Sequence, residues 1–230
     1  MYVMEASSAN APRLLITAGP TWEPIDAVRY LTNRSSGRMG LALAQSSIRR
    51  SWPTTLLLGP TPLPPPDTSH CSIRRFQTTT QLQALLVEHW PSHDVLLMAA
   101  AVADYRPVDV DPTQKRPRRG QGWHLALEPT PDLLAHLAQT SRPDQTLIGF
   151  ALEPADHLIE SARRKLAEKH LDAIVANDLT TMDSDTISAT LLLRDGRTLS
   201  PGGAISKVEF ADWLLDELAT IRAAARTTRA

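Results

Sequence analysis

The stretch LLITAGPTWEPIDAVRYLTNRSSGRMG, residues 14–40, decides the fold, because it predicts a strand, a tight turn and the start of a helix. Leu14 to Thr17 form a short apolar, partly β-branched run that is typical of a buried parallel strand. Ala18-Gly19-Pro20 ends this strand and lets a ligand approach the backbone closely. Ser35 to Gly40 then precede an amphipathic run, which places bare backbone N–H groups at a helix N-terminus, where anions are favoured. The stretch therefore predicts a phosphate-binding passage from strand to helix.

Two parts of this stretch are weak signals when each is taken alone. The spacing of Gly37 and Gly40 before a helix is more typical of ordinary helix capping than of a ligand site. Asn33 belongs to a residue type that is common in turns, because its side chain bonds its own backbone. Their functional interpretation therefore depends on the rest of the chain.

The whole chain alternates strand-like and helix-like segments. Apolar strand-like runs occupy 14–17, 54–58, 95–101, 146–151 and 173–176. Helical patterns occupy 39–49, 80–90, 131–140, 155–170 and 206–222. This alternation predicts an α/β fold with a Rossmann-like, doubly wound, mainly parallel sheet. Residues 188–193 and 197–199, joined by Asp195-Gly196, predict a late β-hairpin at a sheet edge.

Length and composition limit the possible classes of protein. The 230 residues predict one domain at 13–222 between tails at 1–12 and 223–230. A formal charge of −1 gives no general attraction to nucleic acid or to an acidic membrane surface. The single cysteine, Cys71, excludes an internal disulfide and favours a reducing compartment, so the cytoplasm is expected. The sequence has neither a signal-peptide pattern nor 18 consecutive apolar residues, so export and a membrane span are not expected.

Several later residues could serve a ligand site or have ordinary structural roles. Asp104 could orient a sugar hydroxyl, help to hold a metal or cap a helix. The basic run KRPRR at 115–119 could be a solvated face or a nucleic-acid patch. Phe150 could pack in the core or against a base. Lys165 and Lys169 share one helix face, where they would repel each other unless an anion lies nearby.

The opening stretch resembles the phosphopantothenate–cysteine ligases (phosphopantothenoylcysteine synthetases), the ligase half of the bacterial bifunctional coenzyme A biosynthesis protein. Five further segments have family counterparts in the same order: MAAAVADYRP at 98–107, TPDLLA at 130–135, IGFALE at 148–153, ARRKLAEKHLDAIVAND at 162–178 and SKVEFADWLLDEL at 206–218. Together they span nearly everything from Arg13 to Ile221. Two departures are Pro117 in the basic loop and Thr130, which stands where the family has Asn.

This resemblance implies roles for individual residues. Asn33 would bind and orient an acyl-nucleotide intermediate, and Lys115, on a mobile strap loop at about 105–122, would reach the nucleotide phosphates, so these two would be catalytic. Arg29, Asn33 and Ala101 would bind phosphopantothenate. The residues implied in nucleotide binding are Gly19, Ser36, Gly37, Asp104, Lys115, Pro131, Asp132, Leu133, Leu134, Phe150, Lys165 and Lys169. The identity of any metal ligands stays open.

The resemblance also implies a reaction. The phosphopantothenate carboxylate would join the α-phosphate of a nucleoside triphosphate, with CTP favoured over ATP and with Mg²⁺ present, and the amine of cysteine would then attack the acyl-nucleotide. A homodimer without flavin is implied, acting on small molecules. Because only 12 residues precede the predicted domain at 13–222, a separate phosphopantothenoylcysteine decarboxylase is expected to act downstream.

Two alternatives belong to other functional classes. Pro117 and Thr130 motivate a catalytically inactive, nucleotide-binding regulator of the same fold. The fold alone would also suit a dinucleotide-dependent oxidoreductase. That reading is disfavoured because no GxGxxG with a following acidic residue comes after the first strand.

Overall fold

One sheet of eight strands forms the centre of the molecule. The computed structural model describes residues 11–67, 71–118, 120, 122–182 and 184–227. In spatial order the strands of the sheet are β13 (Thr198–Leu199), β12 (Ala189–Leu193), β10 (Ala173–Asp178), β9 (Thr146–Glu153), β6 (Val95–Met98), β1 (Leu14–Ala18), β4 (Thr54–Leu58) and β5 (Cys71–Arg75). The six strands from β10 to β5 are parallel, whereas β12 and β13 pair antiparallel at one edge. The predicted fold class is therefore confirmed, including the late hairpin.

Helices cover both faces of the sheet. They are α1 (Arg38–Arg49), α2 (Thr79–His89), α3 (Leu133–Thr140), α4 (Leu158–Glu168), α5 (Lys207–Asp216) and α6 (Leu218–Thr227). Leu14 and Ile16 pack on the side of α1, α5 and α6, and Leu15 packs on the side of α2, α3 and α4. Because successive strand residues face opposite sides, a strand buried on both faces is apolar throughout. This is why the continuous run at 14–18 occupies the middle of the sheet.

The strand order reverses beside β1. The chain runs outward from β1 through β4 to β5 and then returns to the other side of β1 as β6. In open parallel sheets, ligands bind beyond the carboxyl ends of the strands at such a switch point. The fold therefore predicts a site beyond Ala18 and Met98, the last residues of β1 and β6.

Helix α1 lies unusually close to β1. A Cβ atom added to Gly40 would lie 2.4 Å from Ala18 Cβ and 2.8 Å from Thr17 O, so only glycine permits this approach. Gly37 caps the same helix with φ 75°, a conformation that L side chains rarely adopt. The two glycines thus place the start of α1 against the carboxyl end of β1.

Some predicted boundaries differ from the structure. The strand predicted at 95–101 ends at Met98, because the chain then leaves the sheet towards the switch point. The helix predicted at 206–222 is two helices, and the second continues to Thr227, so the predicted tail boundary at 223 falls inside a helix. Residues 1–10 and 228–230 of the predicted tails lie outside the described residues.

The sequence analysis did not predict the edge strand β5 or three short strand pairs. The pairs are β2 (Trp22–Pro24) with β3 (Tyr30–Thr32), β7 (Tyr105–Pro107) with β8 (Leu127–Pro129), and β11 (Thr186–Ile187) with β14 (Ile205–Ser206). These segments are only partly buried and therefore lack a long apolar run. Within the ranges that the structure describes, no helix is both long enough and apolar enough to cross a bilayer.

Candidate active site at the switch point

Two connected clefts open beyond the carboxyl ends of β1, β6 and β9. The larger has a volume of about 680 Å³ and the smaller about 180 Å³. Ala101 and Phe150 line both, so the two clefts form one continuous depression. Phe150 also packs against the core, so both of its predicted roles are compatible with its position. The depression lies at the switch point of the sheet, where this fold binds ligands.

The larger cleft brings together ten of the predicted site residues. They are Asn33, Ala101, Asp104, Pro131, Asp132, Leu133, Leu134, Phe150, Lys165 and Lys169. The smaller cleft adds Ser36 and Gly37. Gly19, Arg29 and Lys115 line neither of these two clefts.

Gly19 lies under the clefts and contributes through its backbone. Its carbonyl accepts a hydrogen bond from the Ala101 N–H at 3.0 Å, and the Thr21 N–H donates to Ala101 O at 3.2 Å. The Thr21 hydroxyl oxygen accepts from the Ala103 N–H at 3.0 Å. A Cβ on Gly37 would lie only 3.2 Å from the Gly19 nitrogen. The turn after β1 therefore supports both the segment after β6 and the start of α1.

The Asn33 side chain is fixed at the wall of the larger cleft. Its Nδ2 donates to Val102 O at 2.9 Å, and Thr32, the preceding residue, donates from Oγ1 to Thr21 O at 2.7 Å. A carboxamide has a second N–H and an oxygen that can meet a ligand. The arrangement can therefore present an oriented, uncharged amide without supplying a nucleophile.

The two predicted lysines are each paired with a carboxylate. Lys165 Nζ lies 2.5 Å from Glu153 Oε1, and Lys169 Nζ lies 2.8 Å from Asp132 Oδ2. The hydrogen bond from Lys165 lowers the pKa of the Glu153 carboxyl, and one from Ser161 adds to this effect. These carboxylates relieve the repulsion that the sequence predicted between the lysines.

Asp132 also begins α3. Its side chain accepts from the Ala135 N–H at 3.0 Å, as an N-cap residue does. Burial raises the pKa of the Asp132 carboxyl, but the hydrogen bonds from Lys169 and Ala135 outweigh burial, so the net shift is downward. The carboxylate therefore stays ionised beside the cleft.

Thr130, the predicted departure from the family pattern, has a defined structural role. Its N–H donates to Asp104 O at 2.9 Å and its hydroxyl donates to Ala103 O at 2.5 Å. These bonds tie the segment before α3 to the segment that carries Asp104 into the cleft. A threonine at this position is therefore compatible with an intact cleft.

The strap loop is docked on the hairpin of β2 and β3. Asp26 Oδ2 accepts from the Arg116 N–H at 3.2 Å, and Arg29 Nη2 donates to Arg116 O at 2.8 Å. Both guanidinium groups lie over the Trp123 ring, at 5.7 Å for Arg29 and 4.8 Å for Arg116. Hydrogen bonds from the backbone of Val28, with those of Arg29 and Arg116, lower the pKa of the Asp26 carboxyl.

Lys115 is exposed in this docked arrangement and lies away from the clefts that the predicted nucleotide residues line. Arg29 is likewise engaged with the strap rather than with the clefts. Arg119 and Gln121 of the predicted strap lie outside the described residues. The roles assigned to Arg29 and Lys115 therefore stay predictions.

Four charged residues at the site were not predicted. Arg34, Arg38 and Lys207 line the smaller cleft, and Glu153 supports Lys165. No short-range pattern links Lys207 to the start of α1, because their proximity depends on how α5 packs against that helix. The expected repulsion between Lys165 and Lys169 predicted an anion nearby, and this was the one sequence signal that pointed to Glu153.

The carboxylates of the site do not form a metal centre by themselves. Among the described ranges, no three His, Cys, Asp or Glu side chains are grouped so that they could hold a metal ion. Asp104 supplies one carboxylate to the larger cleft. Mg²⁺ is usually bound through one or two carboxylates together with substrate phosphates and water. The donor set therefore fits an ion that arrives with a nucleotide.

Known proteins share this sequence pattern. Residues 9–221 match the family described as DNA/pantothenate metabolism flavoprotein C-terminal domain. The coenzyme A biosynthesis bifunctional protein CoaBC of Escherichia coli (strain K12) is 35% identical over 90% of this chain and 51% of its own length. A cysteine/cysteine sulfinic acid decarboxylase from an unknown prokaryotic organism is 40% identical over 74% of this chain and 46% of its own length. The chain spans about half the length of these curated relatives.

Solved structures share the fold. The C-terminal domain of a CoaBC protein superposes with a TM-score of 0.78 at 34% identity, covering 94% of this chain and 98% of that one. A complex of a Cab2 mutant with phosphopantothenate-cysteine has a TM-score of 0.77 at 16% identity, covering 95% of this chain and 88% of that one, which supports the fold alone. The family predicted from the motifs is confirmed: the chain belongs to the DNA/pantothenate metabolism flavoprotein C-terminal domain family and resembles the C-terminal domain of the coenzyme A biosynthesis bifunctional protein.

Proposed function

We propose that this chain is a ligase that joins 4′-phosphopantothenate to L-cysteine through an acyl-nucleotide intermediate and releases pyrophosphate. The observation that carries the proposal is the gathering of ten predicted residues in one cleft, with Ser36 and Gly37 in the cleft beside it. The relatives support it, because the E. coli protein, which is 35% identical to this chain, is named for coenzyme A biosynthesis.

The reaction needs electrostatic support more than it needs a nucleophilic side chain. In the first step, a carboxylate oxygen of phosphopantothenate bonds to the α-phosphorus of the nucleotide and pyrophosphate leaves. In the second, the cysteine nitrogen attacks the acyl carbon, and nucleoside monophosphate leaves with the electron pair of the broken C–O bond. Positioning and charge stabilisation then supply most of the rate enhancement.

Each part of the clefts has a place in this scheme. Asn33 orients the mixed anhydride through its amide. The backbone N–H groups at Ser36 and Gly37 donate hydrogen bonds to phosphate oxygens. Lys165 of α4 and Lys169, the residue after that helix, contact the nucleotide. Mg²⁺ would be held by Asp104 and the nucleotide phosphates, where it neutralises charge. CTP is the favoured nucleotide, which is what the sequence resemblance to the bacterial ligases implies.

Lys115 takes part only if the strap leaves its docked position. The strap residues 111–118 are exposed, and their bonds to the buried Asp26 and the half-buried Arg29 would have to break. Movement of the strap would carry Lys115 towards the phosphates. Arg29 would be released by the same movement and could then contact the phosphopantothenate.

We also propose a homodimer. Exposed apolar side chains collect on the neighbouring hairpins β2–β3 and β7–β8, namely Val28, Tyr30, Tyr105 and Leu127. Patches of this kind often mark protein interfaces. A light-scattering mass of two chains would support the dimer, and a monomer at micromolar concentration would contradict it. The remaining parts of the proposal are a cytoplasmic location and a later decarboxylation that consumes the product.

The decisive experiment measures pyrophosphate release by purified protein with Mg²⁺ and 4′-phosphopantothenate. CTP is compared with ATP, with and without cysteine, and the amide product is identified by mass. Sustained release that requires cysteine is the expected result. Tight CTP binding without release would instead favour the inactive regulator. Arg197→Gln is a suitable control, because this residue pairs with Asp195 in the hairpin away from both clefts.

A further inference from the structure

Three buried polar side chains form a cluster behind the segment 101–103, which lines the larger cleft. They are Thr21, between β1 and β2, Glu23 of β2 and Thr79, the first residue of α2, and each is at most 3% exposed. None of the three lines either of the two clefts. Burying a polar group costs free energy unless hydrogen bonds replace its bonds to water, so the bonds of this cluster should reveal its role.

Hydrogen bonds join the three side chains in a row. Glu23 Oε1 accepts from the Thr79 hydroxyl at 2.7 Å and from the Thr79 N–H at 2.8 Å. The hydroxyl oxygens of Thr79 and Thr21 lie 3.4 Å apart. A hydroxyl has one proton, and the shorter bond to Glu23 takes it, so Thr79 meets the Thr21 hydroxyl with a lone pair. The Thr21 hydroxyl oxygen in turn accepts from the Ala103 N–H at 3.0 Å.

Thr21 holds both partners of the bond that orients Asn33. Its N–H and its hydroxyl oxygen bond to the backbone on either side of Val102, at 3.2 Å and 3.0 Å. Its carbonyl accepts from the Thr32 hydroxyl at 2.7 Å, one residue before Asn33. Asn33 Nδ2 donates to Val102 O at 2.9 Å. The position of the Asn33 amide therefore depends on one buried residue that does not itself reach the clefts.

Capping of α2 does not account for the whole cluster. Thr78 and Gln81 already form a complete capping box at the start of this helix. Glu23 binds one further N–H there, at Thr79, as an acidic residue at a helix start does. That role leaves the two threonine hydroxyls and the Ala103 N–H unexplained. These groups lead from the helix towards the wall of the larger cleft.

We propose that Thr21 is a positioning residue of the ligase, which holds Val102 O in place for the Asn33 amide. Glu23 and Thr79 keep the Thr21 hydroxyl in the orientation that supports this segment. The inference rests on the proposed ligase function and on the role proposed there for Asn33. An oriented donor stabilises a reacting group only when the residues behind it hold it to within a fraction of an ångström.

The test replaces the Thr21 hydroxyl by a methyl group of similar size. Thr21→Val leaves the Ala103 N–H without its acceptor, and Thr21→Ser restores one. Thr54→Val is the matched control, because this buried threonine also bonds through its hydroxyl, to Trp52 O at 2.9 Å, but lies at the opposite end of the sheet. We expect Thr21→Val to lower kcat for amide formation roughly tenfold with little change in KM for CTP. Thr21→Ser and Thr54→Val should turn over like the unchanged protein.

A double-mutant cycle separates positioning from a general loss of stability. If Thr21 acts through Asn33, adding Thr21→Val to Asn33→Ala should lower kcat by less than about twofold more, because the group to be oriented is already absent. A further tenfold loss in that background would overturn the inference. So would normal turnover of Thr21→Val, or a raised KM with an unchanged kcat. In these three cases the ligase function stands, whereas an unchanged protein that forms no amide would sink both proposals.

A second variant covers the case in which Thr21→Val is unfolded, which melting temperatures would reveal. Thr79→Val removes the middle hydroxyl of the row and leaves the Thr21 acceptor in the chain. We expect it to lower kcat roughly threefold, as the loss of one ordinary hydrogen bond would, and to have no further effect beside Asn33→Ala. A kcat equal to that of Thr54→Val would overturn the inference.

Discussion

Replacing Gly40 by alanine tests the close approach of α1 to β1. The new Cβ would lie 2.4 Å from Ala18 Cβ, whereas carbon atoms pack at about 3.5–4.0 Å, so α1 must move by about 1 Å. Because three atoms of β1 would lie 2.4, 2.8 and 2.9 Å from the new Cβ, overpacking should cost about 2–3 kcal/mol, in the upper part of its usual range, and the better helix propensity of alanine returns roughly 1 kcal/mol. We therefore expect a net loss of about 1–2 kcal/mol in the free energy of unfolding and a fall of about 2–8 °C in melting temperature.

Nucleotide binding should suffer more than stability does. Gly37 and Ser36 lie one turn before Gly40, so a displaced helix moves the N–H groups that face the smaller cleft. Calorimetry with CTP on the folded variant should show at least a roughly tenfold weaker affinity, because each hydrogen bond to a phosphate is geometry-dependent. Gln45→Ala is the matched control, since it introduces alanine at an exposed position of the same helix. If Gly40→Ala melted and bound CTP like the unchanged protein, the argument from close packing would be refuted.

Three further predictions concern single side chains. Asn33→Ala should keep the melting temperature and reduce amide formation roughly 10²- to 10³-fold, since one oriented donor is lost; full turnover would contradict the role of Asn33. Glu153→Gln should lower the free energy of unfolding by about 0.5–1 kcal/mol at pH 7. Because its partner Lys165 lowers the folded-state pKa of Glu153, that difference should shrink as the pH falls below 4.5, which denaturant titrations at several pH values can check. Burial raises the pKa of the Cys71 thiol to about 11, so a thiol reagent at pH 8 should label it only in denaturant, and rapid native labelling would count against its burial.

The fold was predictable where a strand is buried on both faces. Apolar residues dominate the buried runs at 14–17, 54–58 and 146–151, because neither face of these strands meets water. Strand β5 at the sheet edge has only its first residue fully buried, so its sequence carries no comparable signal. Pattern reasoning therefore finds the centre of this sheet and misses its edge.

The sequence predicted many residues of the candidate site, but it did not predict which side chains form ion pairs or hydrogen bonds with them. Local motifs placed Asn33, Asp132 and Lys165 at the ends of strands and on helices, and these residues do share one cleft. The partners of the site residues come from distant parts of the chain, as Glu153 does for Lys165. The position of Lys115 is likewise set by contacts of the strap with a hairpin about 90 residues earlier, as the Arg116 to Asp26 bond shows. Sequence spacing carries no information about such contacts.

The docked strap has a consequence for how measured affinities should be interpreted. If Lys115 engages a nucleotide only from an undocked strap, the fraction of molecules with a free strap multiplies the intrinsic affinity. Each 1.4 kcal/mol by which the bonds of Arg116 and the stacking on Trp123 favour docking then weakens the apparent affinity about tenfold. A ligand that draws Arg29 away from the strap would enlarge the free fraction. Phosphopantothenate and nucleotide would then bind cooperatively, with the strap as the element whose population links them.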